Sequence, residues 1–244
     1  MKSKKKYAEK FVGITPKDYE KLEDRQKKVL DIFSRYKFER ILDFGCGDGN
    51  FTMLIARACK AKEIYGIEIS EKGVEMARKN GVKCCQLDVD EEDFPFEDNY
   101  FDAVTAFELI EHLFDPDHFL DEVYRVLKPK GVFVMSTMNL ASLYDRFFIL
   151  FGFQPSLIGV SLRYPVGHMF KGMKAAPDHI RPFVFRSLKQ LLEIHKFEIL
   201  KIKGRRIANP PEIPFLSFFL LIDKFLSLFP SLSSGFIILA RKHP

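Results

Sequence analysis

The sequence predicts an α/β fold: a doubly wound, mostly parallel seven-stranded sheet with helices on both faces. Two observations support this prediction. Short apolar runs alternate with helical patterns from Arg40 to Thr137, and a glycine cluster follows the first of these runs. Such alternation implies right-handed βαβ units, which build parallel sheets. The length of 244 residues and the apolar fraction of 47% suit one domain of this kind.

A basic lead-in and one helix are predicted ahead of the sheet, over residues 1–37. The lead-in contains Lys2, Lys4, Lys5 and Lys6, and a second basic cluster contains Lys201, Lys203, Arg205 and Arg206. Such clusters can attract nucleic acid or anionic lipid, but a solvated tail and strand end is the simpler interpretation. Thr15 and Pro16 offer an N-cap and a first-turn proline, so the helix is expected from there to about Tyr36.

The elements of the sheet domain, residues 38–244, follow from apolar runs bounded by turn residues and from helical spacing. Strands are predicted at 41–44, 63–69, 82–87, 101–107, 132–137, 197–203 and 235–241. Helices are predicted at 51–61, 71–80, 117–127, 185–195 and 213–229. Gly81 is the expected C-cap of the second of these helices, and Pro129 stops the third.

After the fifth strand, residues 138–180 break the alternation. A helical, aromatic-rich stretch at 140–152 is followed by glycines, prolines and a methionine-containing loop. In α/β domains, ligands bind beyond the carboxyl ends of the strands. This helical insertion is therefore expected to cover the substrate.

The cysteine content bounds the chemistry and the compartment. The four cysteines, Cys46, Cys59, Cys84 and Cys85, form no CxxC pair and have no histidine at zinc-finger spacing. We therefore predict no disulfide framework, no metal site and a reducing, cytoplasmic compartment. No apolar segment follows the basic N-terminus, so no signal peptide is expected.

The stretch Asp43–Gly49, with the sequence DFGCGDG, joins the first strand to the following helix. Its glycines allow a sharp turn and a close backbone approach to a ligand, and the helix N-terminus points at the same space. A Rossmann-like turn of this type also suits NAD or FAD. The nicotinamide fingerprint, however, requires glycine at the position of Asn50.

Segments around this turn agree in order with one family. The glycine stretch resembles motif I of class I S-adenosylmethionine (SAM) dependent methyltransferases. FPFEDNYFD at 94–102 resembles the family's LPFxDxxFD segment, and LKPKG at 127–131 resembles its LKPGG turn, with Lys130 in place of the first glycine. The resemblance extends from Phe38 to Thr137, with a weaker echo at 185–197. It is closest to the small-molecule and quinone-biosynthesis group (methyltransferase type 11) and implies SAM as the cofactor.

The resemblance also implies roles for individual residues. Asp43 would orient the methionine amino group through water, while Gly45 and Gly47 would line the methionine portion. Glu68 would bind the ribose hydroxyls. Asp88 and Val89 would meet the adenine edge, with Asp90 as the alternative to Asp88. The full predicted cofactor set is Asp43, Gly45, Cys46, Gly47, Gly49, Glu68, Ile69, Asp88, Val89 and Phe107.

The segment FELIEH at 107–112 resembles the xEVIEH segment of the quinone-type enzymes. His112 is the candidate general base, since an imidazole titrates near neutral pH, and Glu108 is the alternative. Both could instead only satisfy hydrogen bonds of the loop. His168 and His179 could each face the acceptor or be structural.

The apolar helix predicted at 213–229 has one narrow polar stripe, formed by Ser217, Asp223, Lys224 and Ser227. It contains two charges and is shorter than the roughly 20 apolar residues of a membrane-spanning helix. Burial or a homodimer interface is favoured, and a peripheral membrane contact is the alternative. The apolar insertion and this helix also suit a lipid-like acceptor.

These features predict a SAM-dependent methyltransferase that acts by in-line SN2 transfer on a small-molecule or lipid-like acceptor. Two alternatives stay open: a non-catalytic SAM-fold subunit that supports a partner, and a nicotinamide-dependent oxidoreductase, against which Asn50 and Asp43 argue. DNA is not expected as a substrate, because the chain after the fourth strand lacks an Asn/Asp-Pro-Pro-aromatic segment.

Overall fold

A seven-stranded sheet forms the centre of the structure, a computed structural model that describes residues 20–156, 158–170, 178–207 and 216–243. The strands are β1 (Arg40–Phe44), β2 (Glu63–Glu68), β3 (Lys83–Gln86), β4 (Phe101–Phe107), β5 (Leu127–Met138), β6 (Phe197–Arg205) and β7 (Gly235–Lys242). Their spatial order is β3-β2-β1-β4-β5-β7-β6. All pairs from β3 to β5 are parallel, whereas β7 is antiparallel to both β5 and β6. The predicted mostly parallel, Rossmann-like α/β class is confirmed.

Helices cover both faces of this sheet. They are α1 (Asp24–Phe33), α2 (Asn50–Cys59), α3 (Glu71–Lys79), α4 (Pro116–Val126), α5 (Leu143–Leu150), α6 (Phe185–Ile194) and α7 (Leu216–Leu226). Phe33 of α1 and Ile55 of α2 are buried in the core on one face, and Phe119 of α4 and Leu188 of α6 in the core on the other. Residues of a strand alternate between its two faces, so both faces of the parallel strands must be apolar.

The parallel strands end together at one edge of the sheet. Phe44, the last residue of β1, pairs with Ile67 of β2 and with Ala106 of β4. The connections that follow β1, β2 and β4 therefore emerge side by side. In open α/β sheets, this carboxyl edge is where ligands bind.

The starts of α1 and β5 differ most from the predicted ones. α1 begins at Asp24, where Glu23 and Gln26 form a capping box, and the predicted start at Thr15 and Pro16 lies outside the described residues. β5 begins five residues before the predicted 132, because Leu127 already pairs with Phe101. Leu127 pairs with Phe101 and Val132 pairs with Ala103, so residues 128–131 form an irregularity within the strand. Lys130 has a φ of +66° there, in agreement with the predicted turn.

The helix in the insertion and the apolar helix are shorter than predicted among the described residues. α5 occupies part of the predicted 140–152, and the rest of 151–170 has no helix or strand among its described residues. α7 lies within the predicted 213–229, of which 213–215 lie outside the described residues. The division into residues 1–37 and 38–244 stays a prediction. α1 nevertheless contacts β6, since Lys28 Nζ donates to the Gly204 carbonyl at 2.7 Å and Lys203 pairs with Asp31 at 2.9 Å.

Candidate functional site

The glycine loop after β1 lies at the carboxyl edge of the sheet. Gly47 and Gly49 have φ values of +55° and +77°, a region that residues with a Cβ rarely adopt. A Cβ on Gly47 would have no heavy atom within 4 Å, so the space beside this residue is open. A Cβ on Gly49 would lie 2.9 Å from Val82 Cγ2 and 3.1 Å from Ala77 Cα, so Gly49 allows α3 to pack closely. The loop thus presents backbone to an open space.

Asp43 lies beneath this loop and is only 4% exposed. One carboxylate oxygen accepts a hydrogen bond from Thr52 Oγ1 at 2.5 Å, and the other accepts one from Thr105 Oγ1 at 2.6 Å. Burial raises the pKa of Asp43 to about 6, although the two hydroxyl hydrogen bonds favour the ionised form. Each oxygen retains a lone pair for a further donor, such as a water.

Glu68 at the end of β2 turns its carboxylate onto the glycine loop. Its Oε2 accepts from the Gly47 N–H at 2.9 Å, and its Oε1 accepts from the Ser70 N–H at 2.9 Å. Both oxygens are thus fixed beside the open space and still have acceptor capacity. A Cβ on Gly73, in the first turn of α3, would lie 2.8 Å from Glu68 Cγ and 3.3 Å from the Gly47 carbonyl oxygen. Gly73 therefore makes room for the Glu68 side chain.

The connection after β3 continues this edge beside Glu68, whose carbonyl accepts from the Leu87 N–H at 3.3 Å. Asp88 accepts from the Asp90 N–H at 3.0 Å, and Asp90 accepts from the Asp115 N–H at 3.0 Å. The Asp90 carboxylate is thus bonded to the start of α4, which leaves Asp88 the better candidate for the adenine edge. Val89 is buried at 8% exposure.

Two further predicted cofactor residues have opposite environments. The Ile69 side chain is 62% exposed at the end of β2, where it can cover a flat ligand. Cys46 is buried with Val74, Val82 and Cys84, and its Sγ lies 3.5 Å from Cys84 Sγ. Only the backbone of Cys46 is therefore placed to contact a ligand in the loop.

A half-buried carboxylate at the end of β4 pairs with a buried guanidinium from β6. Glu108 has a φ of +52°. Its Oε1 accepts from Ser136 Oγ at 2.6 Å, and its Oε2 accepts from Arg205 Nη2 at 2.5 Å. Burial opposes ionisation of Glu108, but the Arg205 charge and the Ser136 hydrogen bond outweigh burial and hold its pKa below the ordinary value. A carboxylate held in this way is a weak proton acceptor.

Phe107, the residue before Glu108, forms an aromatic and cationic wall with α1 and α2. Its ring packs edge to face on Phe51 at 5.5 Å between centroids. The Arg25 guanidinium carbon lies 5.5 Å from the Phe107 ring centroid and 5.7 Å from that of Phe51. The positive charge of Arg25 also lies near enough to Asp43 to favour the ionised carboxylate.

Glu111, His112 and His179 form a second cluster at this edge. The Glu111 side chain is fully buried; one oxygen accepts from Thr137 Oγ1 at 2.8 Å, and Oε1 has no hydrogen-bond partner among the described residues. Burial, and after it the nearby Glu108 charge, raise the pKa of Glu111 to about 7. The rings of His112 and His179 pack edge to face with centroids 4.7 Å apart. One ligand atom from each of the three lies within 4.8 Å of the others, so this cluster could accept protons or hold a metal ion.

Several of these neighbours were not predicted from the sequence. Arg25, Arg205 and Glu111 reach the site from α1, β6 and the 3-10 helix Ile110–His112, so their sequence positions alone gave no signal. Gly73 could have been found, because glycine is unfavourable within a helix unless packing requires it. His168 is not a member of the Glu111 cluster, and both of its ring nitrogens are buried without a partner among the described residues.

Comparisons with known proteins agree with this geometry. Residues 42–135 match the family model described as a methyltransferase domain. A demethylmenaquinone methyltransferase of Symbiobacterium thermophilum is 34% identical over 122 residues, which are 47% of this chain and 47% of that protein. A ubiquinone biosynthesis O-methyltransferase of Actinobacillus pleuropneumoniae is 32% identical over 123 residues, 47% of this chain and 50% of that protein. The chain thus spans about half the length of the curated relatives it matches.

The fold has neighbours among solved structures as well. A methyltransferase in complex with the Haloferax volcanii Trm112 methyltransferase activator superimposes with a TM-score of 0.64 at 14% identity, covering 93% of this chain and 94% of that chain. The predicted resemblance is confirmed. Residues 42–135 match a methyltransferase domain and are similar to methyltransferases of the quinone-biosynthesis group, and this similarity implies SAM as the cofactor.

Proposed function

We propose that this protein transfers the methyl group of SAM to a small-molecule or lipid-like acceptor. The observation that carries the proposal is the hydrogen bond between the Gly47 N–H and the Glu68 carboxylate, because it joins the open glycine loop to an acid with free acceptor capacity. In this proposal the loop from Gly45 to Gly49 borders the methionine portion, with Asp43 beneath it. Glu68 accepts the ribose hydroxyls.

The adenine would lie between the exposed Ile69 and the chain at Asp88 and Val89. SAM supplies a methyl group already activated on a positive sulfur, so the protein chiefly positions the two reactants. Phe107 and Glu108 border the reacting end. Arg205 and Ser136 hold the Glu108 carboxylate in one orientation, which suits it to orient an acceptor through hydrogen bonds.

An acceptor oxygen or nitrogen that must lose a proton requires a base. His112 retains this role in the proposal, and Glu111 and His179 lie close enough to share the proton. Glu108, the alternative base, fits less well because its pKa is lowered.

A second candidate function is a SAM-fold subunit that supports a partner. A solved neighbour of the same fold is a methyltransferase in complex with an activator, and this observation favours a partner protein for the present chain but not a supporting role in place of catalysis. Transfer of labelled methyl groups to any acceptor by the purified chain would exclude a purely supporting role. The nicotinamide alternative is disfavoured by Asn50, which occupies the position of the third glycine.

Calorimetric titration with S-adenosylhomocysteine (SAH) tests the cofactor assignment, with NADH as the matched ligand control. Glu68→Ala should weaken SAH binding by about 1–3 kcal/mol, because it removes charge-assisted hydrogen bonds to the ribose. Glu75→Ala on α3 removes an exposed carboxylate nearby and should leave the affinity unchanged. Equal SAH affinity in both variants would move the ribose site elsewhere, and NADH binding would overturn the proposal.

The cytoplasmic location predicted from the cysteine content stays part of this proposal. No described helix is long and apolar enough to cross a bilayer. The proposal also includes the domain division at residue 37, the insertion boundaries near 138 and 180, and the choice of the acceptor atom.

A further inference from the structure

The exposed apolar side chains of this protein are concentrated in two segments. Eleven large exposed apolar side chains lie between Phe147 and Phe170 and five between Phe218 and Phe229, against six in the rest of the described chain. Leu150 is 74% exposed and Leu221 is 63% exposed. Soluble monomers rarely expose large contiguous apolar patches without an interaction partner. We call the exposed side chains of these two segments the apolar surface.

Direct contacts join the two segments. The ring of Tyr144 in α5 packs on Phe219 in α7 with centroids 4.9 Å apart. The Leu143 N–H donates to the Leu232 carbonyl at 3.0 Å, and Arg146 donates to the Ser231 carbonyl at 3.1 Å. α5, α7 and the turn after α7 are therefore parts of one surface.

Acidic and basic side chains of this surface differ in their exposure. Both acids of residues 142–170 and 217–232 are buried: Asp145 at 2% exposure accepts from Ser156 N–H, and Asp223 at 1% exposure accepts from Ile207 N–H. Arg146, Arg163 and Lys224 are exposed, and none of the three forms an ion pair within the part of the chain that the structure describes. Among the described residues of these two segments, the exposed charges are therefore all basic.

We propose that the apolar surface docks in the plane of an anionic lipid membrane. Helices of this type lie with Phe and Leu in the interface and with basic side chains at the headgroups. α5 has eight residues and α7 has eleven, which suits in-plane insertion. The net charge of +5 adds attraction to an anionic leaflet.

Charge complementarity favours lipid over a second copy of the chain. A symmetric dimer places the same patch on both subunits, so Arg146, Arg163 and Lys224 of one copy would enter an interface in which the other copy also presents basic side chains. Like charges brought together in an interface weaken it, whereas anionic headgroups would pair with all three.

The apolar surface adjoins the candidate site. Thr137, which donates to Glu111, and Ser142, which caps α5, lie on either side of the turn that leaves the end of β5. A lipid-like acceptor held in the bilayer could therefore reach the carboxyl edge of the sheet; this step alone rests on the proposed methyl transfer.

Vesicle flotation of the full chain tests the docking. Phosphatidylcholine vesicles with phosphatidylglycerol should carry the protein upward, whereas pure phosphatidylcholine vesicles should carry much less. Leu150→Ser combined with Leu221→Ser should lower the partition coefficient by about tenfold or more, because two inserted leucines are removed. Ile194→Ser is the matched control, since Ile194 is 72% exposed on α6, outside the apolar surface.

Charge reversal provides an independent measurement. Lys224→Glu should reduce binding to anionic vesicles by about fivefold or more, whereas Lys189→Glu on α6 should not. Flotation of the double serine variant at the wild-type level would overturn the docking surface. So would a dimer in light scattering that the double serine variant dissociates. SAH titration of the same samples separates the two proposals: intact vesicle binding without SAH binding would reject the transfer function alone.

Discussion

Asp43 is a carboxylate buried beneath the glycine loop, where two threonine hydroxyls donate to it. Its pKa is raised by burial from 3.8 to about 6, so the folded state binds its proton more tightly than the unfolded state. The contribution of Asp43 to the free energy of unfolding is therefore highest below the unfolded pKa and falls as the pH rises from about 4 to about 6. The loss of this contribution between the two pH limits is on the order of 3 kcal/mol. A buried acid kept at this cost is consistent with a functional role.

Asp43→Asn should therefore stabilise the fold near neutral pH while weakening SAH binding. Urea unfolding at pH 7 should give a free energy of unfolding higher by about 1–3 kcal/mol, and its decline between pH 4 and 6 should flatten. Asp48→Asn, at a less buried position in the same loop, is the control and should leave this pH dependence in place. A variant that is less stable at pH 7 and binds SAH normally would reject this account of Asp43.

Gly73 tests the position of Glu68 without changing the carboxylate. Alanine is favoured over glycine in a helix by about 0.5–1 kcal/mol, so Gly73→Ala should not weaken the fold through helix propensity. Its Cβ would however lie 2.8 Å from Glu68 Cγ and must displace that side chain. We expect SAH affinity to fall about tenfold in calorimetry with little change in the unfolding midpoint. Lys72→Ala is the neighbouring control, and an equal loss there would point to α3 as a whole.

At the scale of elements, the start of α5 decides how the insertion is held. Ser142 Oγ accepts from the Asp145 N–H at 3.1 Å and donates to Asp145 Oδ2 at 2.6 Å. Ser142→Ala removes this buried cap and should cost about 1–2 kcal/mol of local stability. Hydrogen exchange of the amides at 143–150 should accelerate, while exchange in β4 stays unchanged. Ser187→Ala, which removes an exposed hydroxyl in α6, should have no such effect.

Elements with strong local patterns were predictable from the sequence. β4 was predicted at its observed bounds, Phe101–Phe107, because seven residues of a buried strand lie between turn residues. The beginning of β5 was missed because Pro129 and its lysine neighbours indicate a turn. That turn is present at Lys130, whose φ is +66°, and only the pairing of Leu127 with Phe101 places the start of the strand before it. The antiparallel order of β7 and β6 depends on tertiary packing that local periodicity does not encode.

For the candidate site, too, only features with a local sequence pattern were predictable. Motif residues near one another in sequence, such as Asp43 and Gly47, were identifiable from spacing and resemblance. Arg205 and Glu108 are 97 residues apart in the sequence, and no local sequence pattern predicts their contact. Its consequence is chemical, because Arg205 lowers the pKa of Glu108 and so favours the Glu111 cluster as the proton acceptor.

At the scale of the whole molecule, cofactor binding and folding should be linked through the sheet edge. Arg25 of α1 lies over the Phe107 ring, and the Lys203–Asp31 ion pair joins α1 to β6. We therefore expect α1 and the sheet to unfold together. SAH at about 100 times its dissociation constant should raise the free energy of unfolding by about 2.7 kcal/mol. That gain corresponds to a rise of roughly 5–10 °C in the unfolding midpoint for a chain of this size.

Thermal circular dichroism measures this linkage in a chain without tryptophan. The wild-type protein should show a single transition that SAH shifts as a whole, while Glu68→Ala should gain little at the same SAH concentration. Ile194→Ser, far from the glycine loop in sequence and exposed on α6, should gain as much as wild type. Two separate transitions, only one of them moved by SAH, would mean that residues 1–37 and the sheet domain fold independently. The position of Arg25 beside Phe107 would then depend on docking between two units, and SAH affinity should fall as the α1 transition is approached.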